Sequence, residues 1–251
     1  YFSANPNKIT MILIAVATSI GGVGIPLLTE NYVKGDFRAA GKLVQDNLTM
    51  LVAFLLPATI GAVAIAEPLY TVFYGKPDSL ALGLFILAML QTIILGLYTV
   101  LSPMIQALFQ NRKAILYFGY GVLVKLILQV PFIYFFKAYG PLLSTTIGLM
   151  IPIVLMYREI HVVTKFNRKT VFKRSLLTAI LTFIMLVVVL LSALILGFVL
   201  KPNGRVTSMI YVAVIGGVGI IVYGGLGLRL RFLDRFIGSK AASLRNKFHI
   251  S

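Results

Sequence analysis

The sequence predicts an all-α, polytopic membrane helix bundle, and three observations carry that prediction. Hydrophobic residues make up 59% of the 251 residues and charged residues only 12%, with a mean hydropathy of +0.96, a balance foreign to soluble domains. Seven apolar runs, 9–28, 47–66, 79–109, 114–135, 138–157, 175–200 and 207–228, supply the stretch of about 20 residues that a helix needs to cross hydrocarbon. A run such as 181–196 shows no alternation of apolar and polar residues, unlike the short alternating segments of a membrane β-barrel.

The first run collects Gly21, Gly22 and Gly24 and ends at Pro26, a residue that closes a helix because it lacks the N–H and its ring clashes with the preceding turn. Small residues let helix backbones approach closely in lipid, so these glycines, with Gly216, Gly217, Gly219, Gly224, Gly225 and Gly227 in the last run, predict tight packing. A nucleotide-binding glycine loop would need a strand, a helix and a soluble domain around it, and the short connections leave no room for one. Asp36, after Lys34-Gly35, is an N-cap candidate for a surface helix that feeds the second run. Inside that run Pro57 frees a backbone carbonyl and predicts a bend, a useful property beside a moving cavity. The third run is longer than a bilayer requires, and Pro103 predicts tilt or a kink near its end, with continuation into water.

The fourth run contains Lys125, with no acidic residue anywhere in 114–135. A lone ammonium at that depth costs about 2.5–3.5 kcal/mol on insertion scales, so it faces a polar cavity, a partner or an anionic ligand. Lys125 is therefore the leading candidate for function.

The 23 Lys and Arg residues fall unevenly. Seventeen lie in one set of alternate connections, at 34–42, 112–113, 158–174 and the tail from Arg229, and five in the opposite set. The positive-inside rule puts the basic set and the C-terminus in the cytoplasm and residue 1 outside, and an odd number of spans agrees. The net charge of +16 thus has a topological explanation, and nucleic acid is not needed as a partner. Segments 158–174 and 229–251 interleave their cations with Val163, Phe166, Val171, Phe172, Phe232 and Phe236, as short amphipathic stretches on an anionic leaflet do. Ordinary basic flanks and recruitment of an anionic membrane lipid or partner both fit this pattern.

No cysteine is present, which excludes disulfides and thiolate chemistry. The two histidines, His161 and His249, stand far apart in basic segments and predict neither a metal site nor a cofactor. Tyr1 in place of a methionine, and residues 1–7 without signal-peptide features, suggest a chain that continues upstream.

The Ile25-Pro26 ending, the Gly35-Asp36 linker, Leu56-Pro57 with Gly61, and the exit from Pro68-Leu69 to Phe73-Tyr74-Gly75 resemble the polysaccharide flippases of the multidrug/oligosaccharidyl-lipid/polysaccharide superfamily. The nearest branch is that of stage V sporulation protein B and the lipid II flippases. Gln106 through Lys113 and Val124-Lys125-Leu126-Ile127-Leu128 are similar to a glutamine-containing helix end and a lysine-bearing helix of that branch. The resemblance implies spans eight to fourteen of a fourteen-span flippase, whose even-numbered spans run from outside to inside, in agreement with the charge bias. Residues 1–157 would then be the incomplete second transport lobe, 158–174 a basic cytoplasmic linker, 175–228 the last two membrane helices and 229–251 a basic cytoplasmic tail. The missing N-terminal half would supply the first lobe.

What the resemblance implies is non-enzymatic translocation of an undecaprenyl-diphosphate-linked sugar, either lipid II or a polysaccharide repeat unit, by alternating access in the cell membrane. Lys125 would offset diphosphate charge, with Gln91, Gln129 and Ser144 as hydrogen-bonding candidates and Pro57 and Pro103 as bends. Read as residues alone, Lys125 also fits a packing role on neighbouring carbonyls, and interhelical hydrogen bonding is the simpler role for Gln91 and Gln129. A drug or cation antiporter of the same superfamily would be expected to carry intramembrane carboxylates, whereas Asp36, Asp46, Glu67, Asp78 and Glu159 lie at span ends or in loops. A glycan ligase or polymerase would need a large external loop rich in acid, base or arginine groups. A membrane scaffold without transport remains a third alternative.

Overall fold

The computed structural model describes residues 7–200 and 204–229, all of whose regular elements are helical; the predicted tail beyond Arg229 and the Tyr1 end lie outside the described residues. In order the helices are α1 (Asn7–Val23), α2 (Ile25–Val33), α3 (Phe37–Ala64), α4 (Ala66–Tyr74), α5 (Ser79–Ala107), α6 (Asn111–Phe136), α7 (Gly140–Thr164), α8 (Arg168–Val199) and α9 (Arg205–Arg229). Among the described residues six continuous stretches are long and apolar enough to cross a membrane. One of them, Asn111–Thr164, has 54 residues, about 80 Å of helix at 1.5 Å per residue and far more than one crossing needs. A single 3₁₀ turn at Lys137–Tyr139 folds it back into α6 and α7, so the described residues hold six to seven long apolar helices, in line with the helix bundle expected. The protein is a multi-pass membrane helix bundle. Large apolar side chains such as Ile127, Val130 and Phe135 on α6 and Phe183, Leu194 and Ile195 on α8 point outward, as lipid requires.

Local signals explain most boundaries. Gly35, at φ 75°, occupies the left-handed position that ends α2, with the Gly35 N–H bonded to Tyr32 O and the Asp36 N–H to Asn31 O. Asp36 Oδ1 then accepts the Ala39 N–H at 2.9 Å, the N-cap read from the sequence. The surface helix and the second span are one continuous α3. Pro26 departs from expectation: it does not close the first helix but sits in the opening turn of α2, after a break at Gly24. A missing N–H costs nothing at a helix start, where that group has no partner anyway. Helix α5 continues through Pro103 to Ala107, then closes with Phe109 at φ 58° and the Gln110 N–H on Ile105 O.

The chain divides into two compact units, one formed by residues up to Leu55 with Ser79–Ser175, the other by Leu56–Asp78 with residues from Leu176 onward. In the first, Leu28, Leu51, Leu55, Leu101, Met104, Ile105, Met156 and Ile160 form one buried core. In the second, Ile65, Met185, Val189, Tyr211 and Ile215 make a smaller core, where the Tyr211 hydroxyl donates to Ala193 O at 2.9 Å.

At the basic end of the first unit, ion pairs tie its helices together. Arg174 Nη1 meets Asp46 Oδ1 at 2.7 Å and joins α8 to α3. Lys113 Nζ meets Glu159 Oε1 at 2.6 Å, and the Tyr117 hydroxyl donates to Glu159 Oε2 at 3.2 Å, which joins α6 to α7. Segment 158–174 also differs from the amphipathic surface stretch expected. It is the end of α7, a turn at 165–167 and the start of α8, and its Phe166 and Val171 are buried in the core. Phe172 alone of the aromatic residues there points outward.

The glycine expectation holds only in part. A side chain at Gly21 would strike Val100, and Gly219 lies against Val189, but Gly216, Gly217, Gly224 and Gly225 have nothing within 4 Å among the described residues. A cluster in sequence is spread around a helix by its 100° step, so only some of its members can face one neighbour.

Candidate functional site

The site begins with two glycines. Helices α6 and α7 run back along each other and touch where Gly121 meets Gly148: a Cβ on Gly121 would lie 2.5 Å from Gly148 O, and one on Gly148 would lie 2.8 Å from Gly121 O. Any larger residue would force the backbones apart. The same approach seats the stem of Lys125, whose Cβ lies 2.8 Å from the place a Gly148 side chain would need. Lys125 is half-buried and lines a cavity of about 110 Å³ with Phe118, Val122, Thr145, Leu149 and Pro152. Apart from the ammonium, the Thr145 hydroxyl is the polar side-chain group there, and it donates to Pro141 O at 2.7 Å.

Among the described residues the Lys125 ammonium has no hydrogen-bond or ion-pair partner, and the nearest acid on these two helices, Glu159, is already bonded to Lys113 and Tyr117. Gln129, one turn along α6 on the same face, is half-buried and likewise makes no hydrogen bond among the described residues. Lys125 and Gln129 thus form an unpartnered polar strip. The other two candidates are engaged elsewhere. Gln91 Nε2 donates to Leu142 O at 3.2 Å and ties α5 to α7, while Ser144 is fully buried with its hydroxyl on Pro141 O at 3.1 Å. Pro57 is buried in α3, two residues beyond the end of the first unit at Leu55. Pro103 is partly buried in the last turns of α5.

Comparison with known proteins gives one clear match. The chain is 29% identical over 238 residues to Lipid II flippase MurJ of Bacillus subtilis (strain 168), which spans 93% of this chain and 44% of that protein. The chain therefore covers less than half the length of the curated relative it matches. The similarity runs across nearly the whole chain and supports, at moderate identity, the resemblance to superfamily flippases drawn from the motifs. It is a likeness to a transporter, not to an enzyme. No family profile matches the sequence.

Sequence reasoning missed Gly121, Gly148 and Thr145, the residues that shape the space around Lys125. Their signal is nonlocal: each glycine is unremarkable in its own span, and only the α6–α7 hairpin pairs them. His161, one of the two histidines, has its Nδ1 3.0 Å from Phe166 O and closes the α7 end. Among the described residues no group of three His, Asp or Glu side chains could hold a metal.

A cavity of about 110 Å³ accommodates a few waters at about 30 Å³ each, and is far too small for a sugar diphosphate.

Proposed function

We propose that this chain is part of a flippase that carries an undecaprenyl-diphosphate-linked sugar, either lipid II or a polysaccharide repeat unit, from the inner to the outer leaflet by alternating access. The observation that carries this reading is Lys125: an ammonium in mid-span, held by a glycine crossing, with no anion of its own among the described residues. A diphosphate supplies the missing charge while the polyprenyl tail stays in lipid. Gln129 offers a neutral donor one turn away for the phosphate or sugar oxygens. Similarity to Lipid II flippase MurJ supports the same class of cargo.

Residues 1–157 serve in this reading as most of one transport lobe, with 158–174 as its basic connection, 175–228 as the last two spans and 229–251 as a basic tail. The opposite wall of the cavity comes from an N-terminal half of the same protein. The basic ends face the cytoplasm, where the cargo is loaded. Pro57, beside the point where α3 leaves the first unit, provides a bend for the motion, and no covalent step is involved.

The test is charge removal in the full-length protein. Lys125→Gln should reduce appearance of the lipid-linked sugar in the outer leaflet at least tenfold at matched protein levels, a loss of about 1.4 kcal/mol or more in the transport step. Lys125→Arg should keep part of the activity. Equal outer-leaflet exposure in wild type and Lys125→Gln would assign the lysine to packing.

A further inference from the structure

At the basic end of the first unit a crevice of about 590 Å³ opens between the first turns of α3 and the α7–α8 turn. Its charged walls are Arg38 and Lys42, one turn apart on α3, and Lys165 from the turn, with Asp36 as the single acid. Asp36 is already committed as the α3 cap through the Ala39 N–H. Some other cations at this end have partners, since Lys34 holds Glu30, Lys113 holds Glu159, Arg174 holds Asp46 and Arg168 lies 5.7 Å from the Tyr157 ring centre, while Arg112, Arg158, Lys169 and Lys173 lie outside the crevice. Arg38, Lys42 and Lys165 have no ion pair or hydrogen bond among the described residues.

The backbone holds this geometry in place. Gly41 lets α3 approach the end of α7, since a Cβ there would lie 2.7 Å from Thr164 O, and Phe166 is buried beneath the turn. Lys165 takes the left-handed conformation at φ 50°, which turns the chain at the crevice wall. Three unpaired cations from two distant segments therefore converge on a preformed space of ligand size.

We infer that this crevice binds a phosphate-bearing anion, at a site separate from Lys125. The shared chemistry is a phosphate group recognised by one guanidinium and two ammonium groups. Two sources can supply it: the headgroup of an anionic phospholipid in the adjoining leaflet, or a soluble phosphate compound. Exposed Phe37 and Val162, the first flanking Arg38 and the second on the last turn of α7, favour the lipid, because they suit a membrane interface.

The test uses the absence of cysteine from these 251 residues, with any cysteine elsewhere in the full-length protein replaced first. Gln45→Cys in the full-length protein, labelled with an environment-sensitive fluorophore and held in uncharged detergent, is titrated with dioleoylphosphatidylglycerol, with inorganic diphosphate and with dioleoylphosphatidylcholine. A saturable response to phosphatidylglycerol alone assigns a lipid headgroup, and one to diphosphate as well, or diphosphate alone, assigns a phosphate site open to soluble ligands. In either case Arg38→Gln/Lys42→Gln/Lys165→Gln should raise the half-saturating concentration at least tenfold, and Lys42→Gln alone at least threefold. Lys169→Gln/Lys173→Gln, outside the crevice, should change it less than twofold. The inference is overturned by equal responses to phosphatidylglycerol and phosphatidylcholine without any response to diphosphate, by no saturable response, or by unchanged half-saturation in a folded Lys42→Gln variant.

Discussion

Lys125 and Gly148 are a matched pair: the lysine stem occupies the space that any side chain at 148 would need, with 2.8 Å between the two Cβ positions. A Gly148→Ala change must therefore move α6 or α7. The expected cost is about 1–3 kcal/mol, the range for overpacking a tight contact. Thermal unfolding in detergent measures it, with Gly216→Ala as the control. Position 216 has nothing within 4 Å among the described residues, so there the change should be neutral or stabilising by up to about 1 kcal/mol through helix propensity. Equal behaviour of the two variants would mean that the close crossing does not persist in the folded protein.

Gln91 offers a clean separation of packing from transport. Its amide reaches across to Leu142 O, so Gln91→Leu should destabilise the bundle by about 0.6–1.7 kcal/mol while outer-leaflet delivery at matched protein levels stays within twofold of wild type. A stable Gln91→Leu protein that fails to transport would move this residue from scaffold to binding site.

The Arg174–Asp46 pair joins residues 128 positions apart, with the guanidinium mostly shielded. Asp46→Ala leaves that cation short of an acceptor and should cost about 1–3 kcal/mol. Coupling to Arg174 is measured by a double-mutant cycle, in which Asp46→Ala should cost much less once Arg174→Met is present. Strict additivity would show that the contact carries no energy.

Single cysteines report orientation in this cysteine-free chain. Cysteine at Thr170 or Asn111 should resist an impermeant thiol reagent applied to intact cells, and cysteine at Asp78 should react. Labelling at 170 from outside would reverse the proposed orientation.

Much of the fold was legible because its signals are local. Seven apolar runs, the Asp36 cap and the return of the chain at 137–140 each depend on residues next to one another. Pro26 misled because a proline fits the first turn of a helix as readily as it ends the one before. Phe166 and Val171 misled in the other direction: surrounded by cations in sequence they look like surface residues, yet the turn between α7 and α8 carries them into the core. At the site, Lys125 stood out because charge is rare in lipid, and nothing in its own span announced the glycine in α7 that accommodates it. Gln91 and Ser144 looked equivalent to Gln129 as polar residues in apolar runs. The structure gives the first two hydrogen-bond partners, Leu142 O and Pro141 O, and gives Gln129 none among the described residues.

The short turn at Lys137–Tyr139 also bears on how the protein is made. Helix α6 leaves the ribosome first, carrying a lysine whose insertion alone costs about 2.5–3.5 kcal/mol. Since α7 follows after only three residues and holds the glycine against which that lysine stem rests, the two helices gain by integrating as one hairpin. The 54-residue apolar stretch is thus expected to enter the membrane as one unit, and a longer turn should slow integration before it touches the finished fold.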